Sequence, residues 1–492
     1  MSKSETFPHP DYKRYVLKPA FGEAQRLLFP HMMAANEAHA LMLAESGIIP
    51  REQAAALLKA NREIEQAGPD AFTYAPDVED LFFAVEQRLI ERAGADAGDN
   101  LQIARSRNDL DAVMARQMTR ERLVRLQDQV LTVRLALLDL IAQHHDTLMP
   151  GVTHTQPAQP TTLAHHLLGV LGPFERDSAR LASAWARVNR CPLGVAAFTT
   201  TSFQIDRELT ARLLGFDDLV ENGYDAIGAS DYMIEVTGVL ANMAVSVSRF
   251  AHDLLLWSRA EAGVLRIGDA FVQISSIMPQ KRNPVVFEHI RARTGYVIGD
   301  AATVVAIAHS SAFGDTVDVE DPIYTPLARC CDSAEAVLGL LAAVLPTMEF
   351  DAELLAARAG QGHITTTALA DALVKERKMP FRAAHHVVSR LVKDSVGTGK
   401  EITAEGISAV ATEEAGREIG VDEAFVARAL DPWEMVNARD IIGGPAPLAT
   451  RAAADRSRAL LEEDRAAAQN RRERLESAIA ERRNMAVGVI SG

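Results

Sequence analysis

Three short polar segments concentrate the residue types that bind or activate an anion. The first, Ser275-Ser276-Ile277-Met278-Pro279-Gln280-Lys281-Arg282-Asn283-Pro284, runs into the helical pattern VVFEHIRAR. Hydroxyls, cations and backbone donors meet there just ahead of a helix, whose free N–H groups favour a carboxylate or a serine oxyanion. A serine that merely caps that helix is the competing reading. The second, Arg105-Ser106-Arg107-Asn108-Asp109, precedes another long helical pattern and offers guanidinium, hydroxyl and amide groups suited to a carboxylate. Its alternative is a helix start with a Ser or Asn cap. The third, Thr153-His154-Thr155-Gln156, lies in a proline-bounded loop and presents a histidine able to change charge near neutrality. A lone loop histidine is more often structural or simply exposed. The pair His165-His166 falls inside a helical pattern and reads as packing.

Long helices are the elements that must carry these segments. Val236, Val239, Leu240, Met243, Val247, Phe250, Leu254 and Trp257 fall on one stripe of a helix, and similar stretches cover roughly 110–148, 160–190 and 285–310. Strand-like alternation is scarce, so the fold class is all-α, with facing long helices forming a bundle. Proline and glycine punctuation predicts loops at 149–160, 191–205, 266–284 and 311–326. The organisation expected is an N-terminal helical domain over 1–104, a central long-helix domain over 105–360 and a small C-terminal helical domain over 361–492. The charged tail from about 450 reads as a solvated helix, its acids and bases interspersed.

The chain has 492 residues, 48% hydrophobic and 24% charged, a globular composition too long for one core. Its formal charge of -15 argues against a nucleic-acid partner, since such binding rests on basic clusters. Cys191, Cys330 and Cys331 form neither a disulfide framework nor a spaced metal cluster. The start lacks the apolar core of a signal peptide, and no continuous run of about 18 apolar residues suggests a membrane span. These features predict a cytoplasmic protein with no membrane partner. No P-loop, dinucleotide fingerprint or metal-ligand cluster appears, so no cofactor and no metal are expected.

Taken together, the three segments resemble the signature regions of the fumarase/aspartase superfamily, whose G-S-S-x-M-P-x-K-x-N-P pattern is matched by ISSIMPQKRNP. The finer likeness is to the argininosuccinate lyase branch, through AHALMLAESGII, RSRNDLDA, VTHTQPAQP, FQIDRELTARLLGF, MPQKRNP and GGPAP in the same order. This resemblance implies three mostly helical domains whose long central helices join a twenty-helix bundle in a homotetramer, each active site shared by three subunits. It also implies a carbon–nitrogen lyase acting on a small dicarboxylate substrate and releasing fumarate. Ser275 stands at the place of the family's base, Lys281 and Asn283 at carboxylate-binding places, His154 at that of a proton donor or charge stabiliser. Glu288 matches the carboxylate that pairs with the histidine. Ser106, Arg107, Asn108 and Thr153 match positions that hold the succinyl part, and Gln156 joins the substrate-binding set.

Departures from the pattern fall on the side of the departing amine. The branch's early Trp-Gly-Gly-Arg-Phe segment is missing, an expected Asp is Met32, and a YNKDLQEDK-like segment reads FGDTVDVEDP over 313–322. The motif glycine is Ile274. Changing polar groups on one side of a pocket changes what it selects. The expected substrate is therefore another N-substituted aspartate, of the kind handled by ethylenediamine-disuccinate lyases, with argininosuccinate the alternative and a crystallin-like structural role a remote one.

Overall fold

The computed structural model describes residues 8–75 and 78–492, and these form an almost wholly helical protein. The elements used below are α1 (Phe29–Glu45), α2 (Leu81–Ala93), α3 (Arg107–Gln143), β1 (Leu148–Thr153), β2 (Gln156–Thr162), α4 (Leu163–Val188), α5 (Asp231–Trp257), β3 (Gln273–Ile274), β4 (Arg282–Asn283), α6 (Val285–Ala308), α7 (Asp321–Val344) and α8 (Pro447–Ser491). Helices α3 to α7 pack side by side in a closed ring of contacts: α3 on α4, α4 on α5, α5 on α6, α6 on α7, and α7 back on α3. Their inward stripes are apolar at helical spacing, as in Val236, Leu240, Met243, Val247 and Leu254 of α5, all buried.

Two stretches, Asp231–Trp257 and Val317–Thr347, reach the length and mean hydropathy, 1.2 and 1.4, of a membrane-crossing helix. The expectation that nothing in the chain is apolar enough needs that correction. Scattered polar residues hide such helices from a search for unbroken runs. Each lies within the ring of packed helices, where its apolar stripe is covered.

Two predicted loops are also corrected. Residues 148–162 form an antiparallel hairpin, β1 with β2, which tolerates Pro150, Pro157 and Pro160 because a two-stranded ribbon has only edge strands. Helix α7 begins at Asp321, inside the predicted loop over 311–326, because Pro322 occupies the first turn, where its missing N–H has no partner to lose.

Residues 369–429 hold a core of their own, including Leu369, Val387, Ile407 and Phe425. The final helix, grouped with that unit on sequence, instead packs against α3, α4 and the N-terminal helices. Leu461, Ala468, Leu475, Arg482 and Val489 recur every seven residues, a narrow stripe easily lost among the surrounding charges. Arg482 is nearly buried and donates from Nε to Glu37 of α1 at 2.9 Å, while Arg483 reaches the other oxygen at 3.0 Å. Replacing Glu37 with alanine leaves Arg482 buried and uncompensated, and should cost about 3–5 kcal/mol. The check is the shift in chemical denaturation midpoint against the parent protein.

Candidate active site

Ser275 opens a loop that is closed by the pairing of β3 with β4, Ile274 opposite Arg282 and Gln273 opposite Asn283. Within it, the Ser275 hydroxyl oxygen accepts the backbone N–H of Met278 at 3.1 Å and of Ile277 at 3.4 Å. Asn283 donates its amide to the Gln273 carbonyl at 3.0 Å, and Arg282 pairs with Asp269, bracing the loop from the other strand. Lys281 is exposed and makes no side-chain bond among the described residues. Ile274 sits in ordinary paired strand geometry, so this position makes no demand that only glycine can meet.

His154 and Thr155 form the two-residue tip of the β1–β2 hairpin, at φ 51° and 64°. Two successive positive-φ residues match the twist of flanking strands, and here neither is glycine. Such strain is held by the ribbon around it. Thr153, His154 and Gln156 are all exposed. The predicted packing role of the neighbouring pair fits the contacts: the His166 ring lies 4.9 Å from that of Trp257, and His165 reaches the Gly443 carbonyl at 3.0 Å.

The third segment is the start of α3, and both of its sequence readings hold. Asp109 accepts the Ser106 N–H at 2.9 Å, as a cap does, while its other oxygen accepts the N–H groups of Gly194 and Ala196, each at 2.9 Å. Burial pushes the Asp109 carboxyl up to about 6 in spite of these donors. Arg105 is buried, donating to Asn36 at 2.7 Å, and burial brings its guanidinium down to about 10. Ser106 donates to the Asn108 carbonyl oxygen at 2.6 Å. Arg107 is the outward cation, donating to Asp80, the cap of α2, at 2.9 Å with Glu79 at 3.5 Å.

Beyond Arg107 lies a cluster that the sequence reading missed. Asp111, one turn along α3, shares a cavity with Asn108, Glu320, Tyr232 and Tyr324, and about 10 Å³ is open there to the centre of a water-sized group. Burial and the nearby Glu320 carboxylate raise Asp111 well above the carboxylate range. Burial, then a hydrogen bond to Asp315, pushes Glu320 up to about 8. Only the i, i+4 spacing of Arg107 and Asp111 hinted at this group in the sequence.

Within one chain the three segments stay apart. No hydrogen bond or ion pair among the described residues joins Ser275, His154 and Glu288, and Glu288 points outward from the first turn of α6.

A carboxyl whose folded pKa is raised, as that of Glu320 is from 4.5 to about 8, favours the protonated fold. That stabilisation is complete below the unfolded value and lost as pH rises through 8. The melting temperature should therefore fall between pH 7 and 9, and Glu320→Gln should flatten that stretch of the profile, read by scanning calorimetry.

A family model described as Lyase matches residues 20–299, and one described as Argininosuccinate lyase C-terminal matches 363–437. Argininosuccinate lyase of Methanoculleus marisnigri is 40% identical over 445 residues, covering 90% of both chains. Argininosuccinate lyase 1 of Shouchella clausii is 35% identical, covering 88% of each. Among solved structures, EDDS lyase in complex with formate superposes with a TM-score of 0.87 at 29% identity, covering 98% of this chain and 96% of that one. Full-length matches at these identities, on a helical bundle carrying all three polar segments in order, leave one conclusion: the chain belongs to the fumarase/aspartase superfamily, on its argininosuccinate lyase branch, and is a carbon–nitrogen lyase that releases fumarate.

Proposed function

We propose that this lyase releases fumarate from an N-substituted aspartate by anti-elimination, with Ser275 as the base. The observation that carries the reading is the pair of backbone N–H groups directed at the Ser275 hydroxyl oxygen, since an unassisted serine is a poor base and needs its oxyanion stabilised. Ser275 takes the proton from the carbon next to a carboxylate. The extra charge that builds on that carboxylate meets Lys281, Asn283 and Thr153. The carbon–nitrogen bond then breaks, and the nitrogen leaves with a proton delivered through His154, itself paired with Glu288, or through a water. Ser106, Arg107, Asn108 and Gln156 hold the succinyl half.

The amine is proposed to differ from arginine. Met32, in place of an acid, is buried in the core of α1 and offers no polar contact, and Val319 lines the cavity beside Asn108. The argininosuccinate reading is favoured by the relatives at 35–40% identity, and it remains the second candidate.

We also propose a cytoplasmic homotetramer with active sites shared by three subunits, and the three domains divided at 104 and 360. Support for assembly comes from the outer face of α6, where Tyr296 is 64% exposed and Ile298 41%, beside Gly295 and Gly299 with open space around them. An apolar helix face with small residues at i, i+4 suits close packing of another helix.

Ser275→Ala should lower kcat by about 10²–10⁴ while leaving assembly unchanged, followed as fumarate absorbance together with sedimentation. Near-parental turnover would remove the base assignment. Comparing argininosuccinate with other N-substituted aspartates decides between the two amines. Ile298→Arg should shift the protein to smaller species on sedimentation and abolish turnover with them; full activity in a dissociated chain would exclude shared sites.

A further inference from the structure

The cavity at the start of α3 is short of positive charge. Arg107 faces Glu79, Asp80, Asp111 and Glu320, and its bonded partners are the first two. Asp111 and Glu320 are left facing one another with no cation of their own. Two carboxyls in a partly desolvated space must either keep protons or receive a cation.

A second observation, independent of the acids, points to a hydrogen-bonding guest. Tyr232 and Tyr324 are each only 4% exposed, line the same cavity, and have hydroxyls without a hydrogen-bond partner among the described residues. Buried phenols ordinarily find a partner. The site thus collects two carboxyl groups and two phenol oxygens around room for a single water-sized group. An ammonium head matches on each count, with one positive charge, three donors and no acceptor. Asn108 lines the cavity too and receives the Ser106 hydroxyl, so a molecule held at Ser106 and Asn108 lies next to it.

We propose that this cavity seats a protonated primary amine on the departing half of the substrate, making the preferred leaving group a diamine that carries no carboxylate. The inference rests on the lyase reading above and specifies its amine. Asp111 and Glu320 are then specificity-determining residues that take no part in the bond breaking. An amino acid such as arginine fits poorly, since its own carboxylate would enter a region already rich in negative charge.

The test runs the reaction in reverse with full-length protein, following loss of fumarate absorbance with 1,3-diaminopropane, propylamine or arginine. The neutral amine of the diamine adds to fumarate while its ammonium end occupies the cavity. We expect kcat/KM for diaminopropane to exceed that for propylamine and for arginine by about tenfold or more, the size of a charge-assisted hydrogen bond. Asp111→Asn should erase most of that advantage through KM while changing the propylamine rate less than about twofold; a merely structural residue would affect both amines alike. Glu320→Gln supplies the same readout should the first variant fold poorly. Equal rates for diamine and monoamine, a preference for arginine, or a diamine preference that survives both substitutions would overturn the cation seat and leave the lyase reading intact. No fumarate consumed with any amine, and none released from any N-substituted aspartate, would overturn the lyase reading and the seat with it.

Discussion

The buried carboxylate of Asp109 is the constraint on which the substrate-binding end of the bundle depends. Through Ser106 it closes the first turn of α3, and through Gly194 and Ala196 it ties that turn to the loop leaving α4. Burial opposes its charge, and three backbone donors offset part of that cost. One side chain therefore sets the direction in which Ser106, Arg107, Asn108 and Asp111 leave the helix. The polar cluster is precise because its anchor lies in the core.

The other two segments obey a different logic. His154 and Ser275 each sit at the end of a short antiparallel ribbon, one at its tip and one at the opening of its loop. Ribbons stiffen a projecting loop without burying it, which keeps the functional groups exposed and free for contact with another chain. The positive φ at both His154 and Thr155 belongs to the same arrangement, since a tight turn between paired strands imposes it. Long helices supply the distance between these loops, and apolar outer faces such as that of α6 give the helices a reason to associate.

Charge is distributed with equal economy. Deep pairs such as Arg482 with Glu37 fasten the last helix to the first part of the chain and are closed to solvent. The acids around Arg107 outnumber their cation, leaving an unbalanced group beside the substrate-binding residues. Structural pairs are neutralised internally; the unbalanced cluster is left to a guest.

By itself the sequence determined the helical class, through the 3.6-residue apolar period of stretches like 236–257, and the chemistry of the site, through local motifs such as ISSIMPQKRNP and RSRND. Both signals are short-range: a helical face and a loop motif are written in consecutive residues. Only the tertiary structure decided that 148–162 is a hairpin, that α8 returns to the main bundle, and that Asp111 meets Glu320 and Tyr324. Those outcomes depend on partners up to several hundred positions away, as in Arg482 with Glu37. Pairing of strands, burial of a charged stripe and crowding of carboxyls are fixed by which surfaces meet, and no local pattern of residues encodes that meeting.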